Sequence, residues 1–564
     1  MKRNRHFSGA RTRSTTLFLT VAVAIAPFIS VGGEQRSVPK TEHIESETAM
    51  VPMRDGTKLA TNIHLPVEGG PQFPVVLTRT VYGRGGPAIE PIIQKFTSQS
   101  YAFVIQDSRG RSGSEGKDMV FADDGWGEHR DGADTVTWVR KQGWCNGRIG
   151  TWGGSALGIT QVMAAGATHG LACQSMSVAA SSFYGQVAYQ GGVFRKALIE
   201  GWLQGQKSLH VLEVWHSHPT KDHFWKWYDA ESRAPKITAP ALHIGGWWDI
   251  FGQGTINNFV TRQYHGGKGA KGMQKLIMGA WLHGPSPKPG DLVMPENFNF
   301  DFIGYEKRFM AYWLKGEQNG IMDEPAVDYY TLGDVFDPNA PGNEWRTAND
   351  WPPFPTVETS YYLKEDRTLT TEPATSAEGR ITYVYDPENP CPTHGGAELL
   401  IPAGPFDQRE VSKRSDVLVF ATAPLELPVE ITGNVKVRLS VSTDAPDTDF
   451  TAKFIDVYPD GREILMLDNI QRLKFRKGFK KACPLAPNTV GELQIDLWSI
   501  SLILNRGHRI GLQISSSNYP RFEKNSNTGE DLPGAELRTT HNTVYMGKNH
   551  PSALVLPARA AKKE

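Results

Sequence analysis

The most informative segment of this chain is Gly153-Gly154-Ser155-Ala156-Leu157-Gly158. It follows the apolar stretch 147–152 and precedes a helix-like run, 159–167. A serine among small residues at a strand-to-helix turn is typical of a nucleophile elbow. In so tight a turn, side chains two residues before and three residues after Ser155 would clash, and glycine stands at both positions. The motif alone is equally consistent with a nucleophile and with a plain glycine-rich turn.

A serine hydroxyl needs two partners before it attacks a carbonyl at neutral pH: a histidine base and a carboxylate that fixes the tautomer of the histidine. Asp249 follows the strand pattern 239–246, and His283 follows the short buried strand pattern 275–280. Both stand just past the carboxyl end of a predicted strand, where open α/β sheets place their chemistry. The order Ser, Asp, His is also that of the α/β-hydrolases. We predict Ser155 as nucleophile, Asp249 as acid and His283 as base.

Other polar clusters fit structural roles better. His243 lies inside a predicted strand and is expected in the core. Three histidines in a polar-aromatic stretch lack the spacing of metal ligands; they are His216, His218 and His223. The run of Asp444, Asp447 and Asp449 lacks the glycine and the glutamate of a calcium loop, so it predicts a polar turn. The turn at Asp107-Ser108-Arg109 has no base partner and is interpreted as structural. We predict no metal and no cofactor.

The negative oxygen that forms on an attacked carbonyl needs hydrogen-bond donors. One predicted donor is the backbone N–H of Ala156, the residue after the nucleophile. The other must come from a loop that follows an earlier strand. The pattern 73–80 is such a strand, and 81–86 is its loop.

Several segments, taken in chain order, resemble the cocaine esterase, glutaryl acylase and X-Pro dipeptidyl-peptidase family of serine hydrolases. Besides the elbow, they are Leu-Thr-Arg-Thr-Val-Tyr-Gly at 77–83, Gln-Asp-Ser-Arg-Gly-Arg-Ser-Gly-Ser-Glu-Gly at 106–116, Trp-Cys-Asn-Gly-Arg-Ile-Gly at 144–150, Gly-Gly-Trp-Trp-Asp at 245–249 and Gly-Ala-Trp-Leu-His at 279–283. The resemblance implies a triad of Ser155, Asp249 and His283. It also implies that the Tyr82 hydroxyl is the second oxyanion donor, since a phenol is a neutral donor at pH 7.

Two positions depart from the pattern of this family. Its members commonly have tyrosine after the nucleophile, where this chain has Ala156. The backbone N–H donor is kept, but a smaller side chain lines the site at this position. The α-amino-ester hydrolases of the family carry a carboxylate three residues after the serine, which pairs with the substrate ammonium. Here that position is Gly158, which argues against α-amino-acyl specificity and favours the esterase-like members.

Length and pattern predict an α/β fold, namely a doubly wound sheet with a helical cap, followed by a C-terminal β-sandwich of the jelly-roll type. The 564 residues suit two or three domains. We place an α/β-hydrolase domain at 34–340, a cap insertion at 181–235 and the sandwich at 345–560. The aromatic-rich cap predicts an apolar acyl pocket, and the lining residues expected near the nucleophile and the acid are Trp152, Trp248 and Phe251.

Charge and the N-terminus restrict partners and compartment. Lys plus Arg equals Asp plus Glu at 60 each, which argues against nucleic-acid binding or an anionic membrane surface. The basic start and the apolar run within 1–33 are typical of a secretory signal peptide, with a retained membrane anchor as the alternative. We expect a secreted or periplasmic enzyme without stable membrane association after cleavage.

Four cysteines in an exported chain can pair. Cys145 and Cys173 open neighbouring strand patterns, which predicts a bridge between them. Cys391 and Cys483 both lie in the C-terminal region and form a second candidate pair. Free buried thiols are the alternative for all four.

The expected reaction is hydrolysis of a small-molecule carboxylic ester through an acyl-enzyme. Three alternatives remain open from the sequence: an amide-cleaving acylase, an X-Pro-type peptidase, which Gly158 argues against, and a non-catalytic carbohydrate-binding protein. The sequence predicts no particular acyl group, alcohol or oligomeric state.

Overall fold

Short buried runs of aliphatic residues build the first part of the chain into one ten-stranded sheet. The computed structural model describes residues 44–530, 534 and 536–559, so the predicted signal peptide at 1–33 lies outside the described residues. The strands described before the C-terminal sandwich are β1 (Ile44–Pro52), β2 (Lys58–Pro66), β3 (Phe73–Thr80), β4 (Ala102–Asp107), β5 (Cys145–Gly154), β6 (Leu171–Ser177), β7 (Tyr189–Gln190), β8 (Val193–Phe194), β9 (Ala241–Gly246), β10 (Gln274–Gly279), β11 (Val327–Thr331) and β12 (Glu344–Ala348).

The strand order of this sheet is β1-β2-β4-β3-β5-β6-β9-β10-β11-β12. In this spatial order, the seven strands β4, β3, β5, β6, β9, β10 and β11 pair in parallel with their neighbours. Strands β1, β2 and β12 pair antiparallel at the two edges. Strands β4, β9 and β10 are buried along their whole length, as expected for parallel strands covered on both faces. The predicted α/β class is confirmed.

Helices cover the sheet and build the segment predicted as a cap. The α-helices are α1 (Glu90–Thr97), α2 (Asp131–Arg140), α3 (Ala156–Ala164), α4 (Lys196–Gly205), α5 (His210–His216), α6 (Gly252–His265), α7 (Phe302–Lys315) and α8 (Arg409–Ser412). In the segment predicted as a cap, a π-helical turn (Tyr184–Ala188) and the β7–β8 hairpin precede α4 and α5. Two 3₁₀ turns follow them, Phe224–Tyr228 and Glu231–Lys236, and the second ends one residue past the predicted boundary. Short 3₁₀ turns also occur at Glu296–Phe298 and Leu473–Phe475.

The C-terminal part is built of strands, and the predicted β-sandwich is confirmed; its jelly-roll connectivity stays a prediction. The strands are β13 (Thr356–Leu363), β14 (Leu369–Thr370), β15 (Arg380–Tyr385), β16 (Leu418–Ala421), β17 (Val429–Thr443), β18 (Asp449–Val457), β19 (Glu463–Arg472), β20 (Gly491–Leu504), β21 (Arg509–Ser515), β22 (Thr540–Tyr545) and β23 (Ala553–Arg559). A seven-stranded sheet contains β14-β13-β23-β17-β22-β15 with β20 beside β17, and a four-stranded sheet has the order β16-β21-β18-β19.

The two parts share one hydrophobic core. A single cluster of buried side chains runs from the parallel sheet, for example Ile277, into the sandwich, for example Leu439. Backbone hydrogen bonds continue the connection, because Leu332 donates to Ser501 at 2.9 Å and its carbonyl accepts from Ile503 at 2.8 Å. The sandwich is thus fixed against the sheet. Within the described part of the chain, no helix has the length and apolar character needed to cross a membrane.

The predicted disulfides are wrong, since all four cysteines are free thiols. Strands β5 and β6 pair in a register that places Cys173 beside Gly150, five residues beyond Cys145. At about 3.3 Å per residue the two Cα atoms lie on the order of 15 Å apart, whereas a disulfide needs less than about 7 Å.

The two cysteines of the second candidate pair lie in loops that make separate contacts. The N–H of Cys391 donates to the Ser517 hydroxyl at 2.8 Å. The N–H of Cys483 donates to the Lys474 carbonyl at 2.7 Å, and its sulfur lies 3.8 Å from the Arg476 guanidinium.

Candidate active site

The turn between β5 and α3 holds Ser155 in a backbone conformation that side-chain-bearing residues rarely adopt, with φ 54° and ψ −125°. Its N–H donates to the Ser177 carbonyl at 2.9 Å, which ties the turn to the neighbouring strand β6. A Cβ at Gly153 would lie 2.5 Å from the Leu157 Cβ, and one at Gly158 would lie 2.9 Å from the Ala179 Cβ. The two glycines therefore make the turn possible, and strain of this kind is typical of functional sites.

The three residues predicted as a triad meet at the carboxyl edge of the sheet. The Ser155 hydroxyl lies 2.8 Å from Nε2 of His283, and Nδ1 of His283 lies 2.6 Å from Oδ1 of Asp249. All three side chains are buried, Asp249 completely. Because the carboxylate accepts the Nδ1 proton, the Nε2 lone pair faces the serine hydroxyl. This arrangement can remove a proton from Ser155.

Backbone hydrogen bonds between two loops set the distance from acid to base. The loop after β9 carries Asp249 and the loop after β10 carries His283. Trp247 donates its N–H to the Gly279 carbonyl at 3.0 Å, and Trp248 donates to the Trp281 carbonyl at 3.0 Å. The spacing between the carboxylate and the imidazole therefore depends on neighbouring parallel strands rather than on flexible side chains.

Two hydrogen-bond donors lie next to Ser155. Ala156 is the first residue of α3, so its N–H has no acceptor within the helix. The Tyr82 hydroxyl lies beside Ser155, and burial raises the pKa of Tyr82, which keeps the phenol protonated. The Trp202 indole donates to the Tyr82 oxygen at 3.2 Å, so the phenol proton is left for another acceptor. Together these groups can stabilise a negative oxygen.

A small apolar cavity opens directly beside Ser155. Its volume is about 40 Å³, which is space for about three water-sized groups. None of the described side chains that line it carries a charge. Besides Ser155 and Ala156, the lining residues are Phe121, Ile159, Phe183, Val187, Leu198, Ile199, Trp202, Trp215, Ile250, Phe251 and Leu399.

Phe251 lies in this cavity as expected, and the other two residues predicted for it lie elsewhere. The indole N–H of Trp152 donates to Glu306 Oε1 at 2.6 Å on helix α7. The indole N–H of Trp248 donates to the Met466 carbonyl at 3.0 Å. This bond ties the loop that carries Asp249, called the acid loop below, to the sandwich. Both tryptophans turn away from the serine because their indole N–H groups are satisfied in other places.

Sequence reasoning missed Arg195, which is completely buried beside the acid loop. Its guanidinium donates to the Ile250 carbonyl at 3.1 Å, to the Gln186 carbonyl at 2.7 Å and to the Ala397 carbonyl at 3.3 Å. It thereby joins the acid loop, the π-helical turn and the sandwich. Local sequence offered little signal for this role, because Lys196 follows Arg195 directly and the pair resembles an exposed basic turn.

Sequence reasoning also missed Leu399, the one sandwich residue among those lining the cavity. It lies far along the chain from Ser155, and no local pattern indicated that contact.

The residues interpreted as structural are engaged with protein partners. Asp107 pairs with Arg84 at 2.6 Å, and Arg109 pairs with Asp131 at 2.7 Å. His243 is buried against Gln274, and burial lowers its pKa to about 3, so it stays neutral.

The aspartates of the acidic run have partners as well. Asp449 binds Arg472 at 2.9 Å, Lys474 donates its N–H to Asp447 at 2.9 Å, and Asp444 accepts from the His541 N–H at 3.0 Å. Among the described residues, no group of three or more His, Cys, Asp or Glu side chains could hold a metal ion.

Two family models match this chain. The model described as X-Pro dipeptidyl-peptidase (S15 family) matches residues 55–210 and 202–285. The model described as X-Pro dipeptidyl-peptidase C-terminal non-catalytic domain matches residues 319–555. The chain is also similar to the cocaine esterase of Rhodococcus sp. (strain MB1 Bresler), with 31% identity over 581 residues that cover 91% of this chain and 98% of the relative.

Two solved structures are similar over nearly their whole length. An aminopeptidase from the marine sediment archaeon Thaumarchaeota archaeon has a TM-score of 0.79 and 25% identity, covering 94% of this chain and 99% of its own. An α-amino acid ester hydrolase labelled with selenomethionine has a TM-score of 0.77 and 25% identity, covering 95% and 100%.

Proposed function

The chain belongs to the cocaine esterase, glutaryl acylase and X-Pro dipeptidyl-peptidase family of α/β-hydrolase serine hydrolases, and we propose that its substrates are carboxylic esters of short, uncharged acids. The observation that carries this proposal is the apolar cavity beside Ser155. Its described lining offers no charged group. Its small volume suits an acyl chain between acetyl and butyryl better than a long one.

We propose that Ser155, His283 and Asp249 carry the reaction. The Ser155 oxygen attacks the ester carbonyl while Nε2 of His283 takes its proton. Asp249 holds the imidazole and stabilises the imidazolium. His283 then gives the proton to the leaving alkoxide, which departs as an alcohol. Water, deprotonated by the same histidine, attacks the acyl-enzyme, and the proton returns to Ser155 as the acid leaves.

The oxyanion of each tetrahedral intermediate would lie between the Ala156 N–H and the Tyr82 hydroxyl. Both donors can hydrogen-bond to the carbonyl oxygen of the bound ester. These hydrogen bonds strengthen as negative charge develops on that oxygen, and this preference for the transition state lowers the barrier.

The surroundings of Gly158 argue against α-amino-acyl substrates. A substrate ammonium buried beside the serine would need a carboxylate partner. A Cβ at Gly158 would already contact Ala179 at 2.9 Å and the Ser177 carbonyl at 3.1 Å, so no acidic side chain fits there. Amide cleavage is the second candidate, because one structure similar to this chain is an aminopeptidase.

The test is hydrolysis of p-nitrophenyl esters from acetate to octanoate, beside the matched p-nitroanilides. We expect turnover to be greatest with acetate to butyrate, to fall steeply for longer acyl chains and to be lost in Ser155→Ala. Ser217→Ala is the matched control and should behave as the wild type, since Ser217 is an exposed serine directly after α5. Anilide turnover above ester turnover would reassign the chain to amide cleavage, and an octanoate optimum would contradict the proposed size limit.

We also propose that the enzyme is exported, to the periplasm or the medium. The basic start and the apolar run within 1–33 support this. N-terminal sequencing of protein recovered from the medium or periplasm should begin near residue 34. An intact N-terminus in the membrane fraction would instead indicate a retained anchor.

A further inference from the structure

A second and larger cavity lies between the cap segment and the sandwich. Its volume is about 440 Å³, within the range of about 300–1,000 Å³ that is typical of small-molecule sites. The π-helical turn separates it from the small apolar cavity beside Ser155, which we call the acyl cavity. Phe183 and Val187 face the acyl cavity, whereas Tyr184, Gly185 and Gln186 face the larger one.

Carboxamide side chains dominate the polar lining of this cavity. They come from the cap segment, from helix α6 and from strands β19 and β20. Each carboxamide offers both a donor and an acceptor. The six residues are Gln186, Gln253, Asn257, Asn469, Gln471 and Gln494.

One of these groups still has an unused acceptor. The amide nitrogen of Gln253 donates to Asn257 Oδ1 at 2.8 Å. Its Oε1 is buried and has no hydrogen-bond partner among the described residues. Because a buried acceptor without a donor is unfavourable, this oxygen points to a ligand that supplies an O–H or N–H group.

Protein partners engage three of the four charged residues in the wall and one oxygen of the fourth, since Oδ1 of Asp496 accepts from Asn434 and from the Trp498 N–H. Oε1 of Glu231 accepts from the Ser181 hydroxyl at 2.7 Å and from Gln186 Nε2 at 2.6 Å. The Arg476 guanidinium donates to the Cys483 carbonyl. Lys221 lies 3.6 Å from Asp229. The carboxamides of Gln186, Asn257 and Asn469 are likewise bonded at both oxygen and nitrogen. The groups left for a ligand are those of Gln253, Gln471 and Gln494 and one oxygen of Asp496.

An aromatic residue is held in the wall by unusual backbone geometry. Trp498 has φ 74°, which is rare for a bulky residue. It lies at a β-bulge, where the β17–β20 register shifts at Val435/Lys436, and its N–H donates to Asp496 Oδ1 at 2.9 Å. Bulges re-aim side chains next to functional sites.

We propose that this cavity binds a neutral polyhydroxylated ligand of monosaccharide to disaccharide size. The open carboxamide groups and the open Asp496 oxygen match hydroxyl groups, which both donate and accept, and the aromatic side chains provide apolar faces for C–H groups. The inference goes beyond the ester hydrolysis proposed above and does not depend on it, because the two cavities are separate.

The test measures binding of sugars to the full-length protein by titration calorimetry and saturation-transfer NMR. The probes are methyl β-D-glucopyranoside, N-acetyl-D-glucosamine and cellobiose, with D-glucuronate as the charged comparator. Gly185→Tyr blocks the cavity: a Cβ there meets no atom within 4 Å, and Gly185 is outside the left-handed φ region. Gly143→Tyr is the matched control, since Gly143 has the same properties and is exposed outside the cavity.

We expect at least one neutral sugar to bind saturably, to lose at least about tenfold in affinity in Gly185→Tyr, and to bind Gly143→Tyr and Ser155→Ala as it binds the wild type. If Gly185→Tyr does not fold, Gln494→Ala replaces it, with an expected loss of about three- to tenfold from one missing hydrogen bond. No binding of any neutral probe at tens of millimolar, equal binding to the cavity variants, or binding of glucuronate alone would each overturn the proposal.

Discussion

Two buried histidines in this molecule are held by aspartate in nearly the same way and are left to do different things. His283 places Nδ1 2.6 Å from Asp249, and His508 places Nδ1 2.8 Å from Asp456. The second nitrogen makes the difference. In His283 it faces the Ser155 hydroxyl, whereas in His508 it faces a second carboxylate, Asp334, at 3.3 Å.

The comparison teaches that an Asp–His pair acquires its role from the third partner. A hydroxyl leaves the imidazole able to accept a proton and return it. A second carboxylate instead favours a lasting positive charge: against the burial that lowers it, hydrogen bonds to Asp334 and Asp456 raise the pKa of His508 to about 9. Asp334 follows β11 and Asp456 lies on β18, so this cluster joins the sheet to the sandwich.

The strongest way to break the comparison is to make the same substitution in both histidines. We expect His283→Gln to lower kcat on p-nitrophenyl acetate by about 10⁴- to 10⁶-fold, as loss of a triad base does, with little change in Tm. His508→Gln should leave kcat/KM nearly unchanged and lower the free energy of unfolding by about 3–5 kcal/mol, because two buried carboxylates lose their charged partner. Kinetics and thermal melting of both variants decide the point; loss of turnover in a stable His508→Gln would contradict it.

The two aspartates should differ in the same way as the histidines: substitution of Asp249 should affect turnover, and substitution of Asp456 should affect stability. Asp249→Asn keeps the shape of the acid but favours the wrong tautomer of His283, so we expect kcat to fall by about 10⁴-fold. Asp456→Asn, the matched change in the other cluster, should alter Tm and not kcat. A pH–rate profile of Asp249→Asn serves as the check. Activity within tenfold of the wild type would show that Asp249 does not orient the base.

The role of the Tyr82 hydroxyl as an oxyanion donor at the His283 site can be tested in the same way. Tyr82→Phe removes one donor to the oxyanion while the ring stays in place, so we expect kcat to fall by about 10²- to 10³-fold with KM little changed. Trp202→Phe removes the hydrogen bond to the phenol and enlarges the cavity that Trp202 lines, but it keeps the Tyr82 donor, so kcat should fall less. Equal losses in the two variants would mean that Tyr82 acts by packing rather than by donating.

The sequence predicted well what depends on strand order and poorly what depends on side-chain direction. Ser155, Asp249 and His283 each follow a buried strand, and parallel strands bring such positions to one edge. The α/β class and the sandwich followed from the change in hydrophobic pattern along the chain.

The pocket depends instead on where indoles find acceptors. Trp152 turns to Glu306 and Trp248 to the Met466 carbonyl, and neither partner can be identified from local sequence. Leu399 reaches the cavity only because the sandwich packs against the cap segment. The error at Cys145 has a related cause: neighbouring strands were expected to start level, and the actual register offsets them.

The smallest expected effect is the pH dependence of stability that His508 contributes. Its pKa in the folded protein is about 9, above the ordinary value of 6.5. Below about pH 6.5 both the folded and unfolded states carry the proton, and the stabilisation is fully present. As the pH rises from 6.5 to 9 the unfolded state loses that proton first, so the free energy of unfolding should fall by about 2–3 kcal/mol over this range. Urea unfolding at several pH values measures it, and His508→Gln should lack this part of the slope. A stability that rises between pH 6.5 and 9 in the wild type relative to His508→Gln would show that the imidazole is neutral in the fold, and the contrast with His283 would then fail.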